Sequence, residues 1–272
     1  MVFLRRIWAF VARDWLVTVS YRMQFFLRVL SVLIAVTTLF FISKIFAGFT
    51  DSRFAEWRDP LAAWLTGLAV LNYFMTGFSS LANAIRQEQM QGTLESVLMT
   101  PISVPTVVVA SSAWDFVEAT FFSLLYLIFG WLFFDVHYRG SALLALVFLL
   151  LTTLVLSCLG ILSASFAMVF KRGDPFGILL GTGSALFSGV FFPTQLINQH
   201  AGSGVASISK ILPPTYGLDG IRRVLIEGQG FSQVREPFLT LLVFLAILLP
   251  FSLWAFGRAV QRAKREGSLI QY

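Results

Sequence analysis

The sequence predicts an all-α polytopic membrane protein with six transmembrane helices. Of the 272 residues, 57% are hydrophobic and only 12% are charged, and the apolar residues occur in long runs. A helix needs roughly 20 residues to cross about 30 Å of hydrocarbon, because it rises about 1.5 Å per residue. Six runs reach or approach this length: residues 25–46, 61–82, 106–134, 143–170, 176–192 and 238–256.

An amphipathic segment precedes the first span. Trp8, Val11 and Trp15 recur at the spacing of one helical face, and Arg13 lies roughly opposite. Tryptophan on the apolar face is typical of a helix that lies in the membrane interface. We therefore expect residues 1–24 to form an interfacial helix.

The longest polar interruption in the first half of the chain is residues 85–105, between the second and third spans. Good helix formers open it, and after Gly92 the apolar residues recur every three or four positions. Pro101 then disfavours helical geometry at the residue before it. The pattern predicts a short amphipathic helix over residues 85–101, broken at Gly92.

The largest loop is residues 193–237, between the fifth and sixth spans. It contains Pro213 and Pro214, together with two stretches, residues 195–211 and 216–226, that could form short helices. Neither is long enough to cross the membrane. We expect them to pack on the membrane face or to enter it partly.

The distribution of lysine and arginine predicts that both termini are cytoplasmic. Twelve of the 20 basic residues lie on the side that holds both termini, residues 85–105 and the loop beginning at Lys171. Of the other eight, four lie in the long loop, where charge has less influence on orientation. The net charge of +6 therefore fits the flanks of membrane spans and gives no indication of nucleic-acid binding.

The sequence contains none of the common catalytic motifs. There is no Walker phosphate loop, no HExxH pair and no nucleophile elbow around a serine. His137 and His200 are isolated in loops, and Cys158, the single cysteine, cannot form an internal disulfide. This chain therefore has no motif of its own for hydrolysing ATP.

Two carboxylates near the start of the third span leave alternatives open. Asp115 and Glu118 lie one helical turn apart, and no lysine, arginine or histidine is an evident partner. We favour a structural pair near the cytoplasmic interface, because a carboxylate at mid-bilayer costs about 2.5–3.5 kcal/mol. The alternatives are an intramembrane enzyme that uses this pair as acid and base, and an ATP-independent secondary transporter, for which the sequence lacks convincing internal symmetry.

Three motifs, in order along the chain, resemble those of permease subunits of type-2 ABC exporters. The first is carried by Glu88, the GTLE sequence of residues 92–95, and Thr100 with Pro101. The second is SASFAMVFKRGDP, residues 163–175. The third is SGVFFP, residues 188–193, followed by LPPTY and, four residues later, by Gly220, Ile221 and Arg222. The resemblance covers almost the whole chain.

The resemblance implies a single transmembrane domain over residues 1–272, dimerisation, and a separate ATPase subunit that binds ATP and magnesium. It also implies that residues 85–101 are the coupling helix that contacts this ATPase. The residues it assigns to coupling are Arg86, Glu88, Gly92, Thr93, Leu94, Glu95, Leu98, Thr100 and Pro101. Those it suggests near the outer exit of the path are Phe191, Phe192, Pro193, Pro213, Pro214 and Tyr216.

The function implied by the resemblance is ATP-driven export across the bacterial cytoplasmic membrane. The chain carries no cofactor of its own, and its expected partners are the nucleotide-binding subunit, a second permease copy and membrane lipids. The substrate expected from the family is an amphipathic molecule, such as a lipid-linked glycan, a lipid or a drug-like compound.

Overall fold

The computed structural model describes residues 8, 11–12, 14–16, 18–48, 60–90, 104–170, 175–191, 207 and 209–265. These residues are predominantly helical and include no strand. Seven helices of 13 residues or more lie among them: α1 (Arg22–Gly48), α2 (Pro60–Met90), α3 (Val104–Phe134), α4 (Ala142–Phe170), α5 (Pro175–Phe187), α6 (Pro213–Leu225) and α7 (Arg235–Arg265).

Five of the helices, α1, α2, α3, α4 and α7, are long and apolar enough to cross a membrane. They correspond to five of the predicted spans, and the protein is a multi-pass membrane protein. Their stretches of suitable length and hydropathy are Arg22–Ile45, Pro60–Leu81, Ser112–Phe134, Ala142–Phe166 and Arg235–Arg262.

The fifth predicted span, residues 176–192, is shorter in the structure than expected. Helix α5 has 13 residues and is therefore about 20 Å long, less than the hydrocarbon thickness. It ends at Phe187 and is followed by a turn in which Gly189 has a φ of +86°. Glycine adopts this left-handed conformation readily and commonly ends helices, which explains why the helix ends although apolar residues follow it.

The amino-terminal segment is separate from the first span. Its described residues between Trp8 and Ser20 are helical, and a turn at Tyr21 precedes α1. The ring of Trp15 meets the ring of Trp114 in α3 edge to face, with 5.8 Å between the ring centres. Helix α1 begins at Arg22, within the range 1–24 that the sequence assigns to an interfacial helix, and that helix stays a prediction.

Helix α2 lies at the centre of the bundle. In its apolar stretch 72% of the residues are buried, against 39% or fewer in each of the other four candidate spans, and α2 contacts α1, α3, α4, α5 and α6. Polar side chains join it to α3 near the middle of its apolar stretch, Pro60–Leu81. Asn72 donates to the carbonyl of Ala119 at 3.1 Å and to Ser123 Oγ at 3.3 Å, and Ser123 donates to the carbonyl of Ala69 at 2.7 Å.

Small residues allow α2 to approach α4 closely. A Cβ atom added to Gly160 of α4 would lie 2.3 Å from the carbonyl oxygen of Gly77 in α2. Interfaces between membrane helices are enriched in such residues because association there depends on van der Waals packing. Helix α2 is therefore held by hydrogen bonds on one side and by backbone contact on another.

The connections of the bundle gather at two ends. At one end, which we call the α6 end, the turn between α3 and α4 contacts the end of α6, since the amides of Arg139 and Gly140 donate to the carbonyl of Leu225. The start of α2 lies at this same end, where Leu65 shares a buried cluster with Val136. The end of α2 and the start of α3 lie at the opposite end of the bundle.

We predict that Gly160→Ala lowers the stability of the protein. The added methyl group would meet the backbone of α2, and overpacking of this kind costs about 1–3 kcal/mol. The measurement is the apparent melting temperature of the detergent-purified protein, followed by size-exclusion chromatography after heating.

The matched control is Gly257→Ala in α7, because a Cβ atom at Gly257 has no neighbour within 4 Å. This change should leave the melting temperature unchanged or raise it, since alanine favours a helix by up to about 1 kcal/mol over glycine. A Gly160→Ala protein as stable as the wild type would contradict the close contact.

Candidate functional site

The predicted coupling helix lies mostly outside the described residues. Residues 85–90 belong to the last turns of α2, which continues to Met90 without a break. Arg86 and Glu88 therefore lie on the end of the second span, and their side chains are not among those described. The other residues assigned to coupling lie outside the described ranges: Gly92, Thr93, Leu94, Glu95, Leu98, Thr100 and Pro101.

Four of the six predicted outer residues are described, and they lie at the α6 end. Phe191 follows the end of α5 and is 37% exposed. Pro213 and Pro214 begin α6 and are buried. The Tyr216 hydroxyl donates to the carbonyl of Lys210 at 2.8 Å. Phe192 and Pro193 lie outside the described residues.

Arg222 of α6 binds backbone carbonyl groups of two other segments, α2 and the turn after α5. Its Nη1 donates to Gly189 at 2.6 Å, and its Nη2 donates to Ala63 at 2.8 Å and Val190 at 3.0 Å. Its Nε donates to Ala63 as well, at 3.2 Å. We call Arg222 and the carbonyl groups of Ala63, Gly189 and Val190 the Arg222 site.

Two residues of α2 complete the surroundings of this site. The indole Nε1 of Trp64 donates to the carbonyl of Phe191 at 2.9 Å. Gly67 leaves the space that the guanidinium occupies, because a Cβ atom there would lie 2.9 Å from Arg222 Nη2 and 2.8 Å from the carbonyl oxygen of Val190. The turn after α5 is therefore bound to α2 directly through the carbonyl group of Phe191, and through Arg222 by those of Gly189 and Val190.

The two neighbouring arginines of α6 lie in different electrostatic environments. The guanidinium of Arg222 is surrounded by protein, and this burial lowers its pKa to about 9, so that it remains protonated at neutral pH. Arg223 is about one-third exposed and forms an ion pair with Asp219, 2.8 Å between Nη2 and Oδ2. Burial raises the pKa of Asp219, and the adjacent Arg223 partly offsets this effect.

Glycines let α6 lie directly on α4. A Cβ atom on Gly217 would lie 2.2 Å from Thr152 Oγ1, and one on Gly220 would lie 2.3 Å from Phe148 Cε1. The ring of Tyr216 also lies 6.1 Å from that of Phe244 in α7. Helix α6 is therefore packed between the ends of longer helices, and the predicted short helix at residues 216–226 is present with its start at Pro213.

The expectation that Glu118 lacks a basic partner is wrong. Arg28 of α1 forms an ion pair with Glu118 of α3, and its guanidinium also lies 4.1 Å from the ring centre of Phe122. The two residues are 90 positions apart, and the packing of α1 on α3 brings them together. The pair fits the structural interpretation of Glu118 and weakens that of a proton-transferring enzyme site.

The comparison with known proteins agrees with this architecture. A family model described as ABC-2 type transporter matches residues 5–226, most of the chain. The chain belongs to the ABC-2 type transporter family. Members of this family are the membrane components of transporters and typically work with an ATPase partner. No curated protein matches the chain at a significant level.

Sequence reasoning missed the Arg222 site of this ABC-2 permease. Arg222 was noticed only as part of a motif, and nothing in its neighbourhood along the chain distinguishes it from Arg223. The difference is visible only in the folded helix, where α6 buries one face and Arg222 lies beside the buried residues Ile221 and Val224. An arginine at the edge of a buried face indicates acceptors on a neighbouring segment.

We predict that Arg222→Met destabilises the protein by roughly 3 kcal/mol or more. The change leaves the buried carbonyl groups of Gly189 and Val190, which follow the end of α5, without this donor, and each such acceptor costs about 1–3 kcal/mol. Thermal unfolding in detergent measures the loss.

The matched control is Arg223→Met, which removes the same charge one residue later. Its ion pair with Asp219 is partly exposed and contributes less than about 1 kcal/mol. Equal losses of stability in the two variants would show that the carbonyl contacts of Arg222 are not important.

Proposed function

We propose that this protein is the membrane-spanning permease subunit of an ATP-driven exporter in the bacterial cytoplasmic membrane. Its substrate is an amphipathic molecule: a lipid-linked glycan, a lipid or a drug-like compound. A separate nucleotide-binding subunit supplies the energy and binds ATP with magnesium, and the permease alternates between inward and outward access.

The observation that carries this proposal is the ABC-2 match over residues 5–226. The course of α2 supports it. This helix begins beside the Arg222 site and runs about 46 Å to Met90, directly before the segment that the family uses for coupling. A continuous helix is suited to carry a displacement from an ATPase into the membrane.

The orientation follows from the same arrangement. The end of α2 and the start of α3 lie at the end of the bundle opposite α6, and the sequence predicts that 12 of the 20 lysines and arginines belong to that side. The positive-inside rule assigns that end to the cytoplasm. The α6 end then faces outward, with Phe191 and Tyr216 near the exit of the path.

A second copy of the permease completes the proposed transporter. Helices α1 and α7 each have only 11% of their apolar stretch buried within one chain. In a membrane such surfaces meet lipid or another protein. A path between two copies would be opened and closed by movement of the α2 helices, each bound to an ATPase.

We predict that Glu95→Arg uncouples ATP hydrolysis from transport. Glu95 belongs to the proposed coupling helix, and reversing its charge should disturb a complementary contact with the ATPase. Substrate-stimulated ATP hydrolysis and transport are measured in proteoliposomes that contain the purified assembly, and both should fall at least fivefold, on the order of 1 kcal/mol of coupling.

The control is Glu227→Arg, the same charge reversal at an exposed residue of the α6 end. This variant should keep both activities. Wild-type stimulation and transport in Glu95→Arg would remove the proposed docking role.

We also predict opposite accessibility for the two ends. In a protein whose native Cys158 is replaced by serine, Phe191→Cys should react with a membrane-impermeant thiol reagent added to intact cells. Leu98→Cys should react only after the cells are permeabilised. Labelling of Leu98→Cys from outside intact cells would overturn the proposed orientation.

A further inference from the structure

Helix α2 connects two places that have different tasks in the proposed transporter. Its last residue, Met90, immediately precedes the coupling segment, and its first two turns hold the Arg222 site. No break in helical structure separates these ends. A displacement applied at one end of a continuous helix therefore reaches the other.

The second helix that flanks the coupling segment is tied to the first. Asn72 and Tyr73 of α2 bond to α3 at Ala119, Ser123 and Thr120. These hydrogen bonds are buried or partly buried. Sliding of α2 against α3 would therefore break several of them in an apolar environment. The two helices are expected to move together.

At the α6 end, the directional contacts of Arg222 link α6 to two other segments. Ala63 lies in α2, Gly189 and Val190 lie in the turn after α5, and the arginine itself lies in α6. The turn after α5 lies beside α2, where Trp64 donates to the carbonyl group of Phe191. The guanidinium therefore joins both short helices to the start of α2.

We propose that Arg222 is a positioning residue that couples the movement of α2 to the outer exit formed by the turn after α5 and by α6. When the ATPase displaces α2, the Arg222 site obliges this turn and α6 to follow. The inference rests on the proposed function and adds the connection through which a cytoplasmic event reaches the opposite face.

The chemistry of the site requires a guanidinium. Two nitrogen atoms point to Ala63, while Nη1 and Nη2 reach Gly189 and Val190 on the other side. A lysine ammonium is a point charge on a flexible stem and lacks this fixed planar fork. Arg222→Lys therefore keeps the charge but loses the simultaneous contacts.

The test uses the copurified permease and ATPase in proteoliposomes, with Cys158 replaced by serine and Phe191→Cys as the reporter. Phe191 follows the turn directly and is partly exposed. The labelling rate is measured without nucleotide and after trapping with ATP and vanadate. In the parent protein the two rates should differ by on the order of fivefold or more, the usual range of coupling between two sites.

Arg222→Lys should reduce this ratio to about one, while the ATPase continues to hydrolyse ATP at its basal rate. Arg223→Lys is the matched control and should keep the ratio of the parent. If Arg222 had a merely structural role, the substitution would lower expression and thermal stability. The ratio of the two labelling rates would stay as in the parent.

A second variant keeps the test decisive if Arg222→Lys fails to fold. In Gly67→Ala the arginine is retained, but the added methyl group would crowd Arg222 Nη2 and the carbonyl of Val190. Its ratio should also approach one. Parent-like ratios in either folded variant would overturn the role of Arg222.

A different result is expected if the proposed function itself is wrong. In that case the parent itself shows no dependence of labelling on nucleotide, or no ATPase copurifies with it. Either outcome overturns the inference together with the function, whereas a nucleotide-dependent parent with a parent-like Arg222→Lys overturns the inference alone.

Discussion

The structure depends on how backbone carbonyl groups are satisfied where the short helix α5 ends. A helix end leaves carbonyl groups without intrahelical donors, and hydrocarbon offers none. Here the turn after α5 presents Gly189, Val190 and Phe191, and the side chains of Arg222 and Trp64 donate to them. Without such donors, burying this helix end would be costly. This requirement determines how α5 and α6 are attached to the bundle.

The same requirement explains why α2 is the central helix. It contributes Ala63, Trp64 and Gly67 to the satisfied helix end, and further along it holds α3 through Asn72 and α4 through Gly77. Apolar burial alone would hardly favour one arrangement of the helices over another, because lipid is as apolar as leucine. Hydrogen bonds and close backbone contact, located on α2, select one arrangement of the helices. Helices α1 and α7 each have only 11% of their apolar stretch buried and are free to face lipid or a second copy.

Much of the fold follows from the sequence because helix length and hydropathy are local properties. Five helices long enough to span lie where the apolar runs predict them, and α6 covers the predicted short helix at residues 216–226 but begins earlier, at Pro213. The end of α5 was missed because residues beyond Phe187 are apolar while Gly189 turns the chain. The contact of Arg28 with Glu118 and the site of Arg222 depend on residues 90 and 159 positions apart. No local pattern contains such tertiary information.

The central claim is that α2 and the outer exit move as one body through Arg222. A cryo-electron microscopy structure of the assembly in nucleotide-free and ATP-bound states tests it most directly. We expect α2 to change position between the two states while the guanidinium keeps hydrogen-bond distances of about 2.7–3.2 Å to the carbonyl groups of Ala63, Gly189 and Val190. A displaced α2 from which Arg222 has separated would contradict the claim.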